Sequence, residues 1–288
     1  LTPHKQKSYF KTMNRLTTEK RAQIIGCLVE GNSIRATVRM TGAAKNTVVK
    51  LLVDLGQACA EYQNEHLVNL NCKRIQVDEI WAYCYAKQKN VPVDKRGVFG
   101  YGDIWTWVAI DADTKLVPSY LVGTRDAGAA TVFLADLHSR LASGARIQLT
   151  SDGHAPYISA VESTFGADVD FAQLVKLYGV DPEGQKRYSP AKCLGTSKTV
   201  INGNPDPKKI STSFSERQNL TMRMGMRRFT RLTNGFSKKW ENLAASVSLH
   251  FMHYNYARIH QTLRVTPAME AGACDHVWDL VEIAALLD

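Results

Sequence analysis

The chain has 288 residues and a mass of 32.1 kDa, enough for one large core and a small accessory unit. Its 36 Lys+Arg against 27 Asp+Glu give a formal charge of +9, which suits a polyanionic partner such as nucleic acid or an acidic membrane surface. Six cysteines without a Cys-x-x-Cys pair argue against zinc fingers and a disulfide framework, and the absence of an apolar run of transmembrane length argues against a membrane partner. The sequence has no signal-peptide h-region and begins at Leu1, so residues 1–12 are expected to be translated upstream sequence or the edge of a fragment, with Met13 a candidate start.

Residues 16 to 56 read as three short helices. The first runs through Ile24, Ile25, Leu28 and Val29 to a stop at Gly31-Asn32, and Ser33 caps the second. Thr41-Gly42 then makes a tight turn into a third helix, 44–55, with Val48, Leu51, Leu52 and Leu55 as its core stripe. Helix, glycine turn and helix within some forty residues is the pattern of a helix-turn-helix, here assigned to residues 13–60. Its third helix presents Lys45, Asn46, Thr47 and Lys50; asparagine can read adenine, while lysine meets phosphate or guanine. A plain packing or dimerisation module is the alternative. A linker helix is expected over 61–72.

The stretch 74–85 is rich in Ile, Val, Trp and Tyr and predicts a central strand. Its period of two puts Ile75, Val77, Glu79 and Trp81 on one face and Gln76, Asp78, Ile80 and Ala82 on the other. A buried carboxylate is costly unless it is paired, hydrogen-bonded or holding a metal, so Asp78 is either a salt-bridged strand residue or a metal ligand. After a basic loop over 86–103, strands are expected at 104–110 and 116–122, antiparallel through short connections. A helix over 127–141 capped by Asp126, a strand over 146–151, a helix over 156–165 and a short strand at 169–172 follow. This order predicts an α/β domain, residues 73–265, with a mixed five-stranded sheet flanked by helices.

Residues 179–212 hold four prolines and little periodicity and are expected to be an insertion loop. From 208 to 239 nine Lys/Arg surround a single acid, Glu216, on a segment expected to be helical. A long helix is expected over 238–259, and residues 266–288 form a C-terminal tail.

Three carboxylates stand out. Asp152 follows a strand directly, where α/β ligand sites gather, though Asp-Gly is as often a turn. Ser213-x-x-Glu216 matches a capping box, yet Glu216 shares its helical face with Asn219, Arg223 and Arg227. A carboxylate for metal beside guanidiniums for phosphate is chemically coherent, and Arg217, Arg223, Arg227 and Arg228 are expected to contact DNA. Asp111 is a rival, but Asp113-Thr114 beside it suits an ordinary turn. Two aspartates and a glutamate brought together need cations, and oxygen-only ligands favour Mg2+ or Mn2+. Two such ions about 4 Å apart can serve phosphodiester chemistry without a protein nucleophile.

Val77-Asp78-Glu79-Ile80-Trp81, Thr150-Ser151-Asp152-Gly153 and Ser215-Glu216-Arg217-Gln218-Asn219 resemble the three signature stretches of DDE transposases from bacterial insertion sequences. Tyr254-Asn255-Tyr256 with Arg258 and His260, then Thr266-Pro267-Ala268-Met269, is similar to the tail after the glutamate helix in many of them. The resemblance spans roughly residues 16 to 275. It implies an RNase H-like core and Asp78, Asp152 and Glu216 as catalytic acids holding Mg2+ or Mn2+. It also implies integrase-like cleavage and strand transfer on double-stranded DNA, terminal inverted repeats and target alike, by a homo-oligomer in the bacterial cytoplasm at the nucleoid. The 64-residue interval from Asp152 to Glu216 is long for this pattern, and the cysteine-rich zinc element of some relatives is missing. The alternatives are an endonuclease or resolvase of the same fold, which cuts without joining, and an inactive helix-turn-helix regulator.

Overall fold

A computed structural model describes residues 15–179, 193–230 and 233–288. Helix α1 (Thr18–Val29) is capped by Thr17, and α2 (Ile34–Thr41) by Ser33, whose hydroxyl accepts from the Ala36 amide at 3.1 Å. The chain then turns at Gly42 (φ 70°), a left-handed conformation open to glycine at little cost, before α3. These helices are compatible with a helix-turn-helix.

Helix α3 departs from expectation. It does not stop near residue 55 but runs unbroken over Lys45–His66, so no separate linker helix begins at 61. The reason lies at Gly56, which serves packing instead of ending the helix. A Cβ there would lie 2.5 Å from the backbone of Ala245, so only glycine lets α3 approach its neighbour this closely. Leu52, Leu55 and Cys59 of α3 belong to the same buried cluster as Val77 and Trp107 of the sheet. The N-terminal helices and the sheet therefore share one core.

The sheet is mixed and has six strands in the order β3-β2-β1-β4-β5-β6, a broadly RNase H-like arrangement. These are β1 (Arg74–Cys84), β2 (Gly102–Asp111), β3 (Ser119–Gly123), β4 (Ile147–Ser151), β5 (Val169–Tyr178) and β6 (Cys193–Asn202). β1, β2 and β3 pair antiparallel, as expected; β4 lies parallel to β1 and to β5. The expected count of five is corrected by β6, which pairs antiparallel with a longer β5 and turns part of the 179–212 insertion into a hairpin arm. β6 is exposed along most of its length, so it lacks the one-sided apolar alternation that reveals a strand. Residues 180–192 lie outside the described residues.

The two faces of β1 carry different cores. Ile75 and Val77 pack with Phe133 of α4 (Ala127–Arg140) and Tyr157 of α5 (Pro156–Phe165). Ile80 and Ala82 pack with Met222 of α6 (Ser213–Gly225) and Val247 of α7 (Trp240–Met252). The long helix expected over 238–259 ends at Met252 and passes into a π turn, His253–Ala257. Two short helices follow, α8 (Pro267–Glu270) and α9 (Leu280–Ala285), and Arg21 of α1 donates to the Ala284 carbonyl at 2.9 Å. No described helix is long and apolar enough to cross a membrane.

Candidate active site

Strand register brings the two aspartates together. Gln76 of β1 lies opposite Thr150 of β4 in parallel pairing, and carrying that register two residues on sets Asp78 level with Asp152. Both line one open cleft of about 600 Å³, with Lys176 from β5 and Glu216, Asn219 and Arg223 from α6. Ligand oxygens of Asp78, Glu79 and Asp152 all lie within 4.8 Å of one another. Glu216 stands at the same cleft outside that group; its carboxylate accepts from Lys176 Nζ at 2.5 Å and from the Thr212 hydroxyl at 2.7 Å.

The capping-box alternative for Glu216 does not form. The residue before α6 is Thr212, and its side chain makes no capping bond to the helix amides. The cap comes from across the sheet: the buried Gln76 Oε1 accepts from the Phe214 amide at 2.8 Å and the Ser215 amide at 3.2 Å. Gln76 thus ties the start of the glutamate helix to the strand that carries Asp78. One turn further on, Asn219 Nδ2 donates to Asp78 Oδ2 at 2.8 Å. Neither residue follows from local sequence as a support; the only advance signal is that both share a face with an acid.

Asp78 accepts from the Asn219 side-chain amide and from the backbone N–H of Glu79, each at 2.8 Å. Burial, then the Glu79 and Asp152 carboxylates, push its pKa up to about 7, against the opposing Glu79 amide. Glu79 is handled differently. With its side chain 1% exposed, it accepts from Arg125 Nε at 2.8 Å and from the Tyr157 hydroxyl at 3.2 Å. Burial raises its pKa as well, with Asp152 adding to the rise and Arg125 and Tyr157 opposing it. Asp152 is oriented by the His154 amide, which donates to its Oδ1 at 2.9 Å.

These groups fit a hard divalent cation. The donors are oxygen only, and a carboxyl forced toward neutrality by burial and by its acidic neighbours is a place where a positive charge would be welcome. A second group, Cys274, Asp275 and His276, also has ligand atoms within 4.8 Å, and can coordinate a divalent metal too. Its residues are chain neighbours, and the His276 ring is already shared between Asp275 at 2.6 Å and Glu282 at 2.8 Å.

The basic residues expected to meet DNA divide into several places. Lys45 and Asn46 are exposed at the start of α3, Thr47 is half-buried, and Lys50 is exposed but paired with Asp54 at 2.5 Å. Arg223 lines the carboxylate cleft, while Arg217 points into a different pocket on the other side of α6. α6 ends at Gly225, so Arg227 and Arg228 are not on the Glu216 stripe but on the turn Arg227–Phe229. Arg227 is exposed. Arg228 is turned inward, where its guanidinium donates to the Ser237 and Ser246 hydroxyls at 2.7 and 3.1 Å. Burial lowers its pKa to about 10, and its contacts are those of a packing residue, not of a phosphate ligand. Asp111, the rival acid, does make the ordinary turn: it accepts from the Thr114 amide at 3.2 Å and hydroxyl at 2.7 Å.

No protein-family model matches the chain, and no curated protein matches it. Among solved structures the chain is similar to one described as the crystal structure of the Mos1 strand transfer complex, at 11% identity and a TM-score of 0.25, covering 86% of this chain and 83% of that one. A likeness at that level adds nothing to what the sheet order and the carboxylates provide.

Proposed function

We propose that the chain is a DDE-type transposase, cutting the ends of a DNA element and joining them to target DNA, with Asp78, Asp152 and Glu216 as the acids that hold Mg2+ or Mn2+. The observation that carries this reading is the convergence of aspartates from two adjacent parallel strands, and a glutamate from a helix pinned to the first strand, on one open cleft edged by Lys176 and Arg223. A divalent cation bound there supplies the charge that activates water or a 3′-hydroxyl and stabilises a leaving phosphate oxygen. The chain's own residues do the rest. Asn219 fixes the Asp78 carboxylate, Gln76 fixes the helix that carries Glu216, and Lys176 holds the Glu216 carboxylate at the cleft wall. An open polar cleft with no deep apolar lining suits a polymer strand better than an enclosed small molecule.

In this reading the N-terminal unit, 13–60, reads duplex DNA through Asn46 with Lys45, Thr47 and Lys50, and residues 73–265 carry the chemistry. Arg217, Arg223 and Arg227 meet phosphates, and copies assemble on the element ends. The test is incubation of the protein with duplexes bearing the terminal inverted repeats and Mg2+. Nicked 3′ ends and joined products are expected. Nicking without joining would favour the endonuclease alternative, and binding without either the inactive regulator.

A further inference from the structure

Helix α6 has two polar faces. One carries Glu216 and Asn219 into the carboxylate cleft; the other borders a second pocket, of about 490 Å³, between the helix, the end of β2 and residues 258–262. Lys115, Arg217, Arg258 and His260 line this pocket, and no Asp or Glu does. Among the described residues, neither the Arg217 nor the Arg258 guanidinium makes a hydrogen bond or ion pair with a protein group, although Lys115 is engaged by the Ala112 and Asp113 carbonyls. Two polar atoms in the lining are buried without a partner, Gln218 Nε2 and His260 Nδ1, and Gln218 is only 2% exposed. A buried donor left unpaired costs free energy that an incoming acceptor restores. Burial, then the charges of Lys115, Arg258 and Arg217, hold the His260 pKa below the ordinary histidine value, which reports a positive potential inside the pocket. Phe214 and Ile259 supply an apolar wall.

We propose that this pocket is an oxyanion site that takes a phosphodiester of a DNA strand, held on the side of α6 away from the carboxylates. Two guanidiniums with no protein partner, a neutral amide donor and an imidazole match the tetrahedral acceptors of a phosphate, and an apolar wall suits the adjoining sugar or base. Cationic ligands are disfavoured by the positive charge of the lining. The naming of the strand as DNA rests on the transposase reading, whereas the anion site itself does not. One helix would then hold a metal-binding carboxylate on one face and a backbone phosphate on the other, fixing the strand relative to the cleft.

The test is fluorescence anisotropy of a labelled duplex across a range of NaCl concentrations in EDTA, for the wild type, Arg217→Ala, Arg258→Ala and the double variant. The double variant is expected to bind about tenfold more weakly at moderate salt, with the slope of log K against log salt reduced by about one to two units. Both arginines are exposed on the surface of the pocket, so folding is expected to be kept, and either single variant carries the test if the double one is unstable. Gln218→Leu is expected to weaken binding with the slope unchanged, because it removes a neutral donor. A second arm adds orthophosphate or a mononucleotide at constant ionic strength and follows the melting temperature. If these stabilise the wild type but not the double variant, while duplex affinity and slope stay the same in both, the site belongs to a small phosphate and the strand assignment is overturned. An unchanged slope with no response to phosphate overturns the site altogether. Mg2+-dependent nicking by the same wild-type preparation separates the two claims. Nicking with an unchanged slope sinks only the pocket, and a reduced slope without nicking sinks only the transposase reading.

Discussion

Asp78 and Glu79 leave β1 on opposite faces, the first toward α6 and the second toward α5 and Arg125. Glu79 meets a guanidinium and a phenol in a fully covered position, so its charge is partly answered inside the protein. Asp78 meets an amide side chain and a backbone N–H, neither of which carries charge, and faces an open cleft beside Asp152. Adjacent acids at equal cost in sequence thus serve different ends. One holds structure together; the other is left short of a positive charge. What separates these two neighbouring acids is their partners, more than their burial or their place on a central strand.

The comparison breaks most sharply in catalysis. Asp78→Asn and Asp152→Asn are expected to reduce Mg2+-dependent nicking and joining by about a thousandfold or more, with DNA binding kept or slightly tightened as negative charge leaves the cleft. Glu216→Gln should behave the same way. Strand-transfer assays on a pre-nicked terminal substrate, paired with gel shifts, check all three; near-wild-type transfer by any of them would remove that residue from the set. Glu79→Gln should instead act on the fold. Losing the carboxylate that Arg125 and the Tyr157 hydroxyl bond is expected to cost about 1–2 kcal/mol by denaturant titration, while the folded fraction still nicks DNA. If the variant were as stable as wild type but inert, the structural role assigned to Glu79 would fall.

A pH experiment sharpens the same contrast without any DNA. The Asp78 pKa is raised in the folded protein to about 7, so the folded state keeps a proton that the unfolded chain has already lost. Metal-free stability attributable to this residue is therefore complete below the ordinary aspartate range and is lost as pH rises toward about 7. Asp78→Asn in EDTA should melt several degrees higher than wild type at pH 8 and nearly the same at pH 4. Equal gains at both pH values would show that the charge of Asp78 is not the cause.

Smaller effects concern support. Gln76→Leu removes the side-chain acceptor of the Phe214 and Ser215 amides at the start of α6 and is expected to cost about 1–2 kcal/mol, as a lost helix cap does. Its diagnostic is kinetic. Because Gln76 positions Glu216 and does not touch DNA in this account, kcat should fall while KM for DNA stays within about twofold. A rise in KM alone would place Gln76 in binding.

Much of this was legible in the sequence because it rests on short-range periodicity. The period of two in 74–85 separates Asp78 from Glu79 correctly, and Ser33 and Asp126 cap the helices they precede. The adjacency of Asp78 and Asp152 follows once the strand that carries Asp78 and the strand that ends just before Asp152 are read as neighbours. What stayed hidden depends on partners distant in the chain. The Gln76 cap joins residues 138 apart in the chain, and the Arg125 pair of Glu79 needs the β3–α4 connection to fold back on β1. That the third helix continues past residue 55 was hidden for the same reason: Gly56 serves a helix crossing, which only its approach to Ala245 reveals. The capping box weighed at Ser213 does not form, since tertiary bonds from Gln76 and Lys176 outcompete the local one.

The most direct test of the central claim, that Asp78 and not Glu79 is the acid kept for a cation, is calorimetric titration of Mn2+ into the DNA-free protein. Wild type, Asp78→Asn and Glu79→Gln are compared at pH 8, each confirmed folded by its melting curve. The account predicts that binding is lost in Asp78→Asn and retained in Glu79→Gln. Retention in Asp78→Asn together with loss in Glu79→Gln would contradict it.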